Sequence, residues 1–239
     1  MRLSDWLVLN ELARDKKHAE GLILSANVLI NDTPVTSAAY IVKNSDAVRV
    51  RNQRKWVARS AEKLDYALRF FHCHVRGKIC LDVGSSTGGF TQVLLEHGAS
   101  RVIALDVAYG FLHPLLRKNE AVRVMERTHI CNVTRDDFPE KPDFFVVDVS
   151  FISIQKVCLC LKKLYNTWEG IVLFKPQFEV TREDLDHGVL VNSQILDESL
   201  KTFKHFLEDH QISIKKEVIS PILGKKGNRE FLFYIEWSA

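Results

Sequence analysis

The fold turns on residues 79–90, Ile79-Cys80-Leu81-Asp82-Val83-Gly84-Ser85-Ser86-Thr87-Gly88-Gly89-Phe90. An apolar run ends in an acid, a glycine-rich turn follows, and an amphipathic pattern then begins over residues 88–97. This is how a buried strand, a tight loop and a helix N-terminus read in sequence. Glycines let the backbone approach a ligand closely, and the first turn of the helix adds N–H donors. The spacing is not that of the dinucleotide fingerprint, because Ser86 stands where GxGxxG needs its second glycine. It is not a P-loop either, since no Gly-Lys-Ser/Thr follows. A glycine-rich strand-to-helix turn that holds no ligand is the plainer alternative.

Downstream, the alternation continues. Apolar strands are expected at 102–105, 122–125, 143–147, 171–174, 212–219 and 231–235, with helices notably at 88–97, 154–164 and 194–208. A helix from Ala61 to about Phe71 precedes the first strand. Continuous apolar strands separated by amphipathic helices imply a largely parallel sheet covered on both faces. Such sheets bind ligands beyond the carboxyl ends of their strands, where Asp106 is placed to accept hydrogen bonds from ribose hydroxyls. Upstream the pattern is shorter. Two helical stretches (around 3–13 and through Ala19, Leu22, Ile23 and Ala26) lead into Val28-Leu-Ile30, an Asn31-Asp32 turn, Thr33-Pro-Val35 and Val48-Arg-Val50. The reading is therefore a small α+β module over 1–55, a basic connector and helix start over 56–62, and an α/β body over 63–239.

Charge divides along the same line. Residues 1–60 hold 10 basic and 6 acidic side chains, a net +4, while 61–239 hold 23 and 24, a net −1. A basic end on a near-neutral body suits a polyanion. The basic residues concerned include Arg2, Lys16, Lys17, Arg49, Arg51, Arg54 and Lys55. No run approaches the roughly 18 apolar residues that cross a bilayer, and the first residues lack a charged stretch followed by an apolar core, so neither a membrane span nor a secretory signal is expected. The 5 cysteines, Cys73, Cys80, Cys131, Cys158 and Cys160, are odd in number and lack framework spacing, so reduced thiols in the cytoplasm are expected rather than disulfides. His72-Cys73-His74 and Cys158-Leu-Cys160 lack the paired spacing of a zinc site, and no metal is expected.

Four ionisable residues stand at or near strand ends: Lys63 on the helix before the first strand, Asp148 after Phe144-Phe-Val-Val147, Lys175 after Gly170-Ile-Val-Leu-Phe174, and Glu230 before the last strand. In a parallel sheet these positions converge on one rim. Lysines alternating with carboxylates hold an ammonium in place and tune its proton affinity, which suits activation of an alcohol. The bland alternative is a pair of surface salt bridges worth little.

Asp82-Val-Gly84-Ser-Ser-Thr-Gly88-Gly-Phe90 matches the D-x-G-x-x-x-G-x-F pattern of S-adenosylmethionine (SAM)-dependent methyltransferases. Lys63, Asp148, Lys175 and Glu230 fall in the order of the Lys-Asp-Lys-Glu tetrad of the FtsJ-like RNA 2′-O-methyltransferases. Asp106-Val-Ala-Tyr-Gly110, Glu126-Arg-Thr128, Asp148-Val-Ser-Phe-Ile-Ser153, Lys175-Pro-Gln-Phe-Glu179 and Gly227-Asn-Arg-Glu-Phe231 narrow this further. With them the chain resembles, over essentially its whole length, the TlyA (haemolysin A) family of ribosomal RNA methyltransferases. The resemblance implies a class I, Rossmann-like methyltransferase with a seven-stranded sheet behind an S4-type RNA-binding domain. It implies methyl transfer from SAM to the 2′-hydroxyl of cytidine in ribosomal subunits, with the large subunit favoured because short forms of the family act there.

Under that resemblance Lys175 lies nearest the nucleophile, and Lys63, Asp148 and Glu230 orient the ribose. Asp82, Gly84, Ser85, Thr87, Gly88, Gly89, Phe90, Asp106 and Asp148 belong to the SAM site, Glu126, Arg127 and Thr128 shape its adenine side, and Phe151 is a candidate to stack on a base. No obligate protein partner is implied. His129 stands where the family usually has Asn, so the adenine side differs in detail. Two rival readings remain: a membrane-active haemolysin, against which the absence of a basic amphipathic helix counts, and a catalytically inactive RNA-binding protein, against which the intact tetrad counts.

Overall fold

The computed structural model describes residues 1–51, 55–150 and 152–238, so Arg54 and Phe151 lie outside the described residues. The chain divides into two compact units, Met1–Lys55 and Trp56–Ala239.

In the first unit, helices α1 (Leu3–Leu9) and α2 (Lys16–Leu24) precede strands β1 (Val28–Ile30), β2 (Thr33–Val35) and β3 (Val48–Val50). Asp15 starts α2 by accepting the His18 amide at 2.7 Å, satisfying a donor the helix cannot. Asn31 and Asp32 take positive φ, as a two-residue hairpin turn requires, and the strands pair antiparallel in the order β2-β1-β3. Leu3, Leu7, Ala13, Ala19, Ile23, Val28 and Ile30 make its small core.

The second unit opens with Trp56 donating to Glu96 at 3.0 Å and the Val57 amide donating to Gln92 at 2.8 Å. Helix α3 (Ala61–Phe71) follows. Then come β4 (Ile79–Val83), α4 (Gly89–Glu96), β5 (Arg101–Leu105), the single turn α5 (Pro114–Arg117), β6 (Val122–Met125), β7 (Phe144–Val147), α6 (Ile154–Leu164), β8 (Trp168–Phe174), α7 (Ser193–Asp209), β9 (Ser213–Ile219) and β10 (Phe231–Trp237). The seven strands form one sheet in the order β6-β5-β4-β7-β8-β10-β9. The first five are parallel, and β10 runs antiparallel between β8 and β9. The expected seven-stranded, mostly parallel sheet is therefore present. One core packs under α6 and α7, with Phe145, Phe174, Phe203 and Trp237 at its centre, and the other under α3 and α4. β9 ends the order and has no buried side chain, as befits an edge strand, and its run Lys215-Lys216-Glu217 is exposed.

The thiol expectation is corrected at one pair. Cys131 and Cys160 form a disulfide with Cα atoms 4.9 Å apart, while Cys73, Cys80 and Cys158 are free and buried. Sequence spacing carried no sign of it, because the pair is made when the 3₁₀ turn Ile130–Asn132 packs on α6. Burial pushes the Cys158 thiol up to about 12, so that residue is inert as a nucleophile.

Candidate active site

The order reversal lies at β4, which has β5 on one side and β7 on the other, so the loops after these strands diverge and leave a crevice. The glycine loop lies in it. Gly84 has φ +84°, and a Cβ there would sit 2.5 Å from the Asp148 carbonyl oxygen. The amides of Gly84 and Ser85 both donate to the Leu105 carbonyl, at 2.8 and 3.1 Å. Gly88, with φ +95°, caps α4 where a Cβ would run into Leu116. The loop can thus be this tight only because these two residues carry no side chain.

Two adjoining cavities open there. The larger, about 350 Å³, is walled by apolar side chains including Leu105, Val107, Phe111, Ile130, Ile152 and Val157, with Ser86, Asp106, Thr128, His129, Asp148 and Ser150 as its polar groups. The smaller, about 170 Å³, is polar: Ser60, Ser85, Ser86, Thr87, Asp148, Ser150 and Lys175 line it with Gly84 and Phe90. Both include Gly84, Ser86, Asp148 and Ser150 in their walls. An apolar slot with a carboxylate at its rim accommodates a nucleoside, and a polar annex suits a charged amino-acid moiety.

Lys175 ends β8, and its ammonium is saturated by one segment: Asp148 Oδ1 at 2.5 Å, the Val149 carbonyl at 2.9 Å and the Ser150 hydroxyl at 3.2 Å. Lys63, on α3, pairs instead with Glu230. In the antiparallel register Phe231 faces Phe174, so Glu230 and Lys175 occupy the next rung of the ladder. The four residues are therefore two ion pairs at one end of the sheet. Neither Lys63 nor Glu230 lines either cavity.

Other expected site residues divide between wall and frame. Asp106 lines the larger cavity, but its oxygens already accept the Ser86 and Ala108 amides, each at 2.7 Å, so it also ties the glycine loop to the loop after β5. Thr128 is a wall residue whose hydroxyl donates to the Glu126 carbonyl at 2.9 Å. Glu126 itself accepts the Gly110 amide at 3.0 Å and pairs with Arg117, while Arg127 lies over the Tyr109 ring at 4.2 Å. Neither Glu126 nor Arg127 lines a cavity, and Gly89 packs towards Ser60. Asp82 is fully buried beneath the loop, with Oδ2 accepting the Thr91 hydroxyl at 2.6 Å. Its other oxygen has no partner among the described residues, and burial raises the carboxyl to about 7.

Nothing in the sequence signals that Ser60 and Ser150 face this site, whereas His129, which departs from the family's usual Asn, does line the larger cavity. Ser150 sits in a quoted motif, but nothing in the motif says that its hydroxyl serves Lys175. Glu179 was likewise quoted without a role. Its carboxylate is half-buried, and burial pushes its pKa up against the two hydrogen bonds it accepts, from the Ile154 amide and the Ser153 hydroxyl.

The chain that builds this site matches the family model of the FtsJ-like methyltransferases over residues 56–237. The chain belongs to the FtsJ-like methyltransferase family. Within it, the chain is 38% identical to the Hemolysin A of Brachyspira hyodysenteriae, over 97% of this chain and 98% of that one. It is 36% identical to the 16S/23S rRNA (cytidine-2′-O)-methyltransferase TlyA of Mycobacterium tuberculosis, over 98% and 89% of the two chains. A solved Streptococcus thermophilus structure, 32% identical, superposes with a TM-score of 0.76 over 100% of this chain and 88% of that one. This FtsJ-like chain is thus a relative of TlyA and Hemolysin A along nearly its full length. Among its described residues, no helix is long and apolar enough to cross a membrane, and no group of His, Cys, Asp and Glu could hold a metal ion.

Proposed function

We propose that the protein is a cytoplasmic rRNA methyltransferase that carries a methyl group from SAM to the 2′-hydroxyl of a cytidine, with large-subunit RNA the favoured substrate. The observation that carries the reading is the Lys175 ammonium, held by Asp148, Val149 and Ser150 on the wall of the polar cavity that the glycine loop also lines. The apolar cavity fits the adenine of SAM, Asp106 has lone pairs left for its ribose, and the serines and Thr87 of the polar cavity fit its amino-acid end. When bound, SAM supplies a sulfonium-activated methyl group.

The chain's own residues do the rest. Lys175 meets the incoming hydroxyl: as an amine it accepts the hydroxyl proton, and as an ammonium it stabilises the developing oxyanion. Asp148 keeps Lys175 oriented, and the Lys63–Glu230 pair anchors α3 to the start of β10 beside it. The first unit is an S4-type RNA grip. Arg2, Lys16, Lys17, Arg49, Arg51 and Lys55 are all exposed there, Lys16 beside Asp5 at 3.2 Å and Arg49 beside Asp32 at 2.5 Å. Pairs that exposed exchange readily for phosphate.

The test is methyl transfer from labelled SAM to separated small and large ribosomal subunits, with mapping of the modified nucleotide. Label on a cytidine 2′-oxygen of the large subunit is the expected result. Label on a base, or none on either subunit, would overturn the reading. The membrane-active alternative predicts lysis of erythrocytes by purified protein, undiminished in Lys175→Ala.

A further inference from the structure

Glu179 closes the 3₁₀ turn Pro176–Phe178, four residues after Lys175. Its oxygens reach across to α6: one accepts the Ile154 amide and the other the Ser153 hydroxyl, each at 2.7 Å. Ser153 Oγ in turn accepts the Gln155 amide at 3.2 Å, so the carboxylate sits on the capped first turn of an 11-residue helix. The connection from β7 to α6, described at residues 148–150 and 152–153, therefore has two attachments to the chain that leaves β8. Lys175 holds its beginning through Asp148, Val149 and Ser150, and Glu179 holds its end. The parallel β7–β8 pairing stops at Val147, opposite Val172, and on the other side the Asp148 amide donates to the Val83 carbonyl of β4 at 2.9 Å, so the sheet fixes only the start of this segment. The turn that carries Glu179 is closed by the Phe178 amide on the Lys175 carbonyl at 2.9 Å and the Glu179 amide on Pro176 at 2.9 Å. Lysine and carboxylate are thereby locked into one short, rigid piece.

We propose that Glu179 is a positioning residue for methyl transfer: it ties the start of α6, through Ser153 and Ile154, to the turn that carries Lys175, so that Asp148, Val149 and Ser150 hold the ammonium toward the polar cavity. The proposal rests on the reading of Lys175 as the group that meets the hydroxyl. Glu179 does not line either cavity. An ordinary helix cap would affect stability alone. A clamp affects turnover beyond that, because small displacements of a reacting group are costly.

The experiment compares full-length wild type, Glu179→Ala and Glu179→Gln. It measures kcat and KM on ribosomal subunits, cofactor affinity by calorimetry, and amide exchange over 148–156. Glu179→Ala is expected to lower kcat by about 10- to 100-fold, the cost of misplacing a reacting group, while KM and cofactor affinity stay within about threefold. Exchange should rise across 148–156. Glu179→Gln should recover most of the lost turnover, since its carbonyl can accept the Ile154 amide and its NH₂ can donate to Ser153. Should Glu179→Ala not fold, Ser153→Ala removes one of the two attachments and should lower kcat in the same sense. Unchanged kcat in folded Glu179→Ala, a loss confined to KM or cofactor affinity, or an equal loss in the alanine and glutamine variants would overturn the clamp. A wild type that transfers no methyl group to either subunit would instead overturn the functional reading on which it stands.

Discussion

Two lysine–carboxylate pairs stand at one end of the same sheet, and they are built for different work. Lys63 and Glu230 have side chains only 8% and 3% exposed and line neither of the two cavities. Lys175 and Asp148 are 10% and 16% exposed, line the polar cavity, and share the ammonium with a carbonyl and a hydroxyl. The first pair is a dry joint between α3 and β10. The second keeps a charged donor at a ligand-sized space, where an incoming oxygen can replace one of its partners. On the proposed function, identical chemistry serves as scaffold in one pair and as reagent in the other, according to what the cavity reaches.

The largest effect expected from that contrast is on turnover. Lys175→Ala should lower methyl transfer by about 10²–10³-fold, the loss typical of one aimed electrostatic donor, with cofactor affinity nearly unchanged. Isothermal titration beside a single-turnover assay separates the two, and wild-type turnover would end the distinction between the pairs.

Next comes stability. Removing one member of the dry joint, as in Lys63→Met, strands a buried charge and should cost about 3–5 kcal/mol in a denaturant titration. The apolar double variant Lys63→Met/Glu230→Leu should recover most of that loss. Lys175→Met should cost less than Lys63→Met, because Asp148 is nearer water than Glu230. Equal losses would erase the difference in burial on which the contrast rests.

Asp82 extends the comparison to a buried carboxylate with no lysine at all. Its carboxyl is raised by burial to about 7 from 3.8. The folded protein therefore binds the proton more tightly than the unfolded chain. Asp82's contribution to stability is full below about pH 4, is lost as pH rises towards 7, and is level above that. Asp82→Asn should flatten this slope. The fall in melting temperature between pH 5 and pH 8 should be smaller in the variant than in wild type, and parallel curves would show that Asp82 does not carry the proton.

How much of this was legible in the chain depends on the kind of contact. The period of the apolar runs was enough for the parallel strands, because a strand buried on both faces has little choice of residue. The single turn Pro114–Arg117 escaped, being too short to show a period. Lys63, Asp148, Lys175 and Glu230 were visible as outliers at or near strand ends, but their division into pairs was not. It depends on which side chains meet across 167 residues in one case and 27 in the other. The Cys131–Cys160 bond was hidden for the same reason. Of the expected cofactor residues, Asp82, Glu126 and Arg127 are not in the walls of these two cavities, and a motif records which residues recur together rather than which of them face the space.

The smallest effect tests the first unit against the catalytic rim. Arg49 and Arg51 line a concavity of about 490 Å³ with Leu29, Asp32 and Val50. If this surface grips phosphate, each arginine releases counterions on binding RNA. The full-length double variant Arg49→Ala/Arg51→Ala should then bind rRNA with a log-affinity against log-salt slope shallower by about 1.5–2. Lys175→Ala should leave the slope close to wild type, because its ammonium is already neutralised by Asp148 and meets a hydroxyl rather than a phosphate. A slope unchanged in the arginine variant but reduced in Lys175→Ala would reverse the assignment, making the rim the electrostatic grip and the basic unit a bystander.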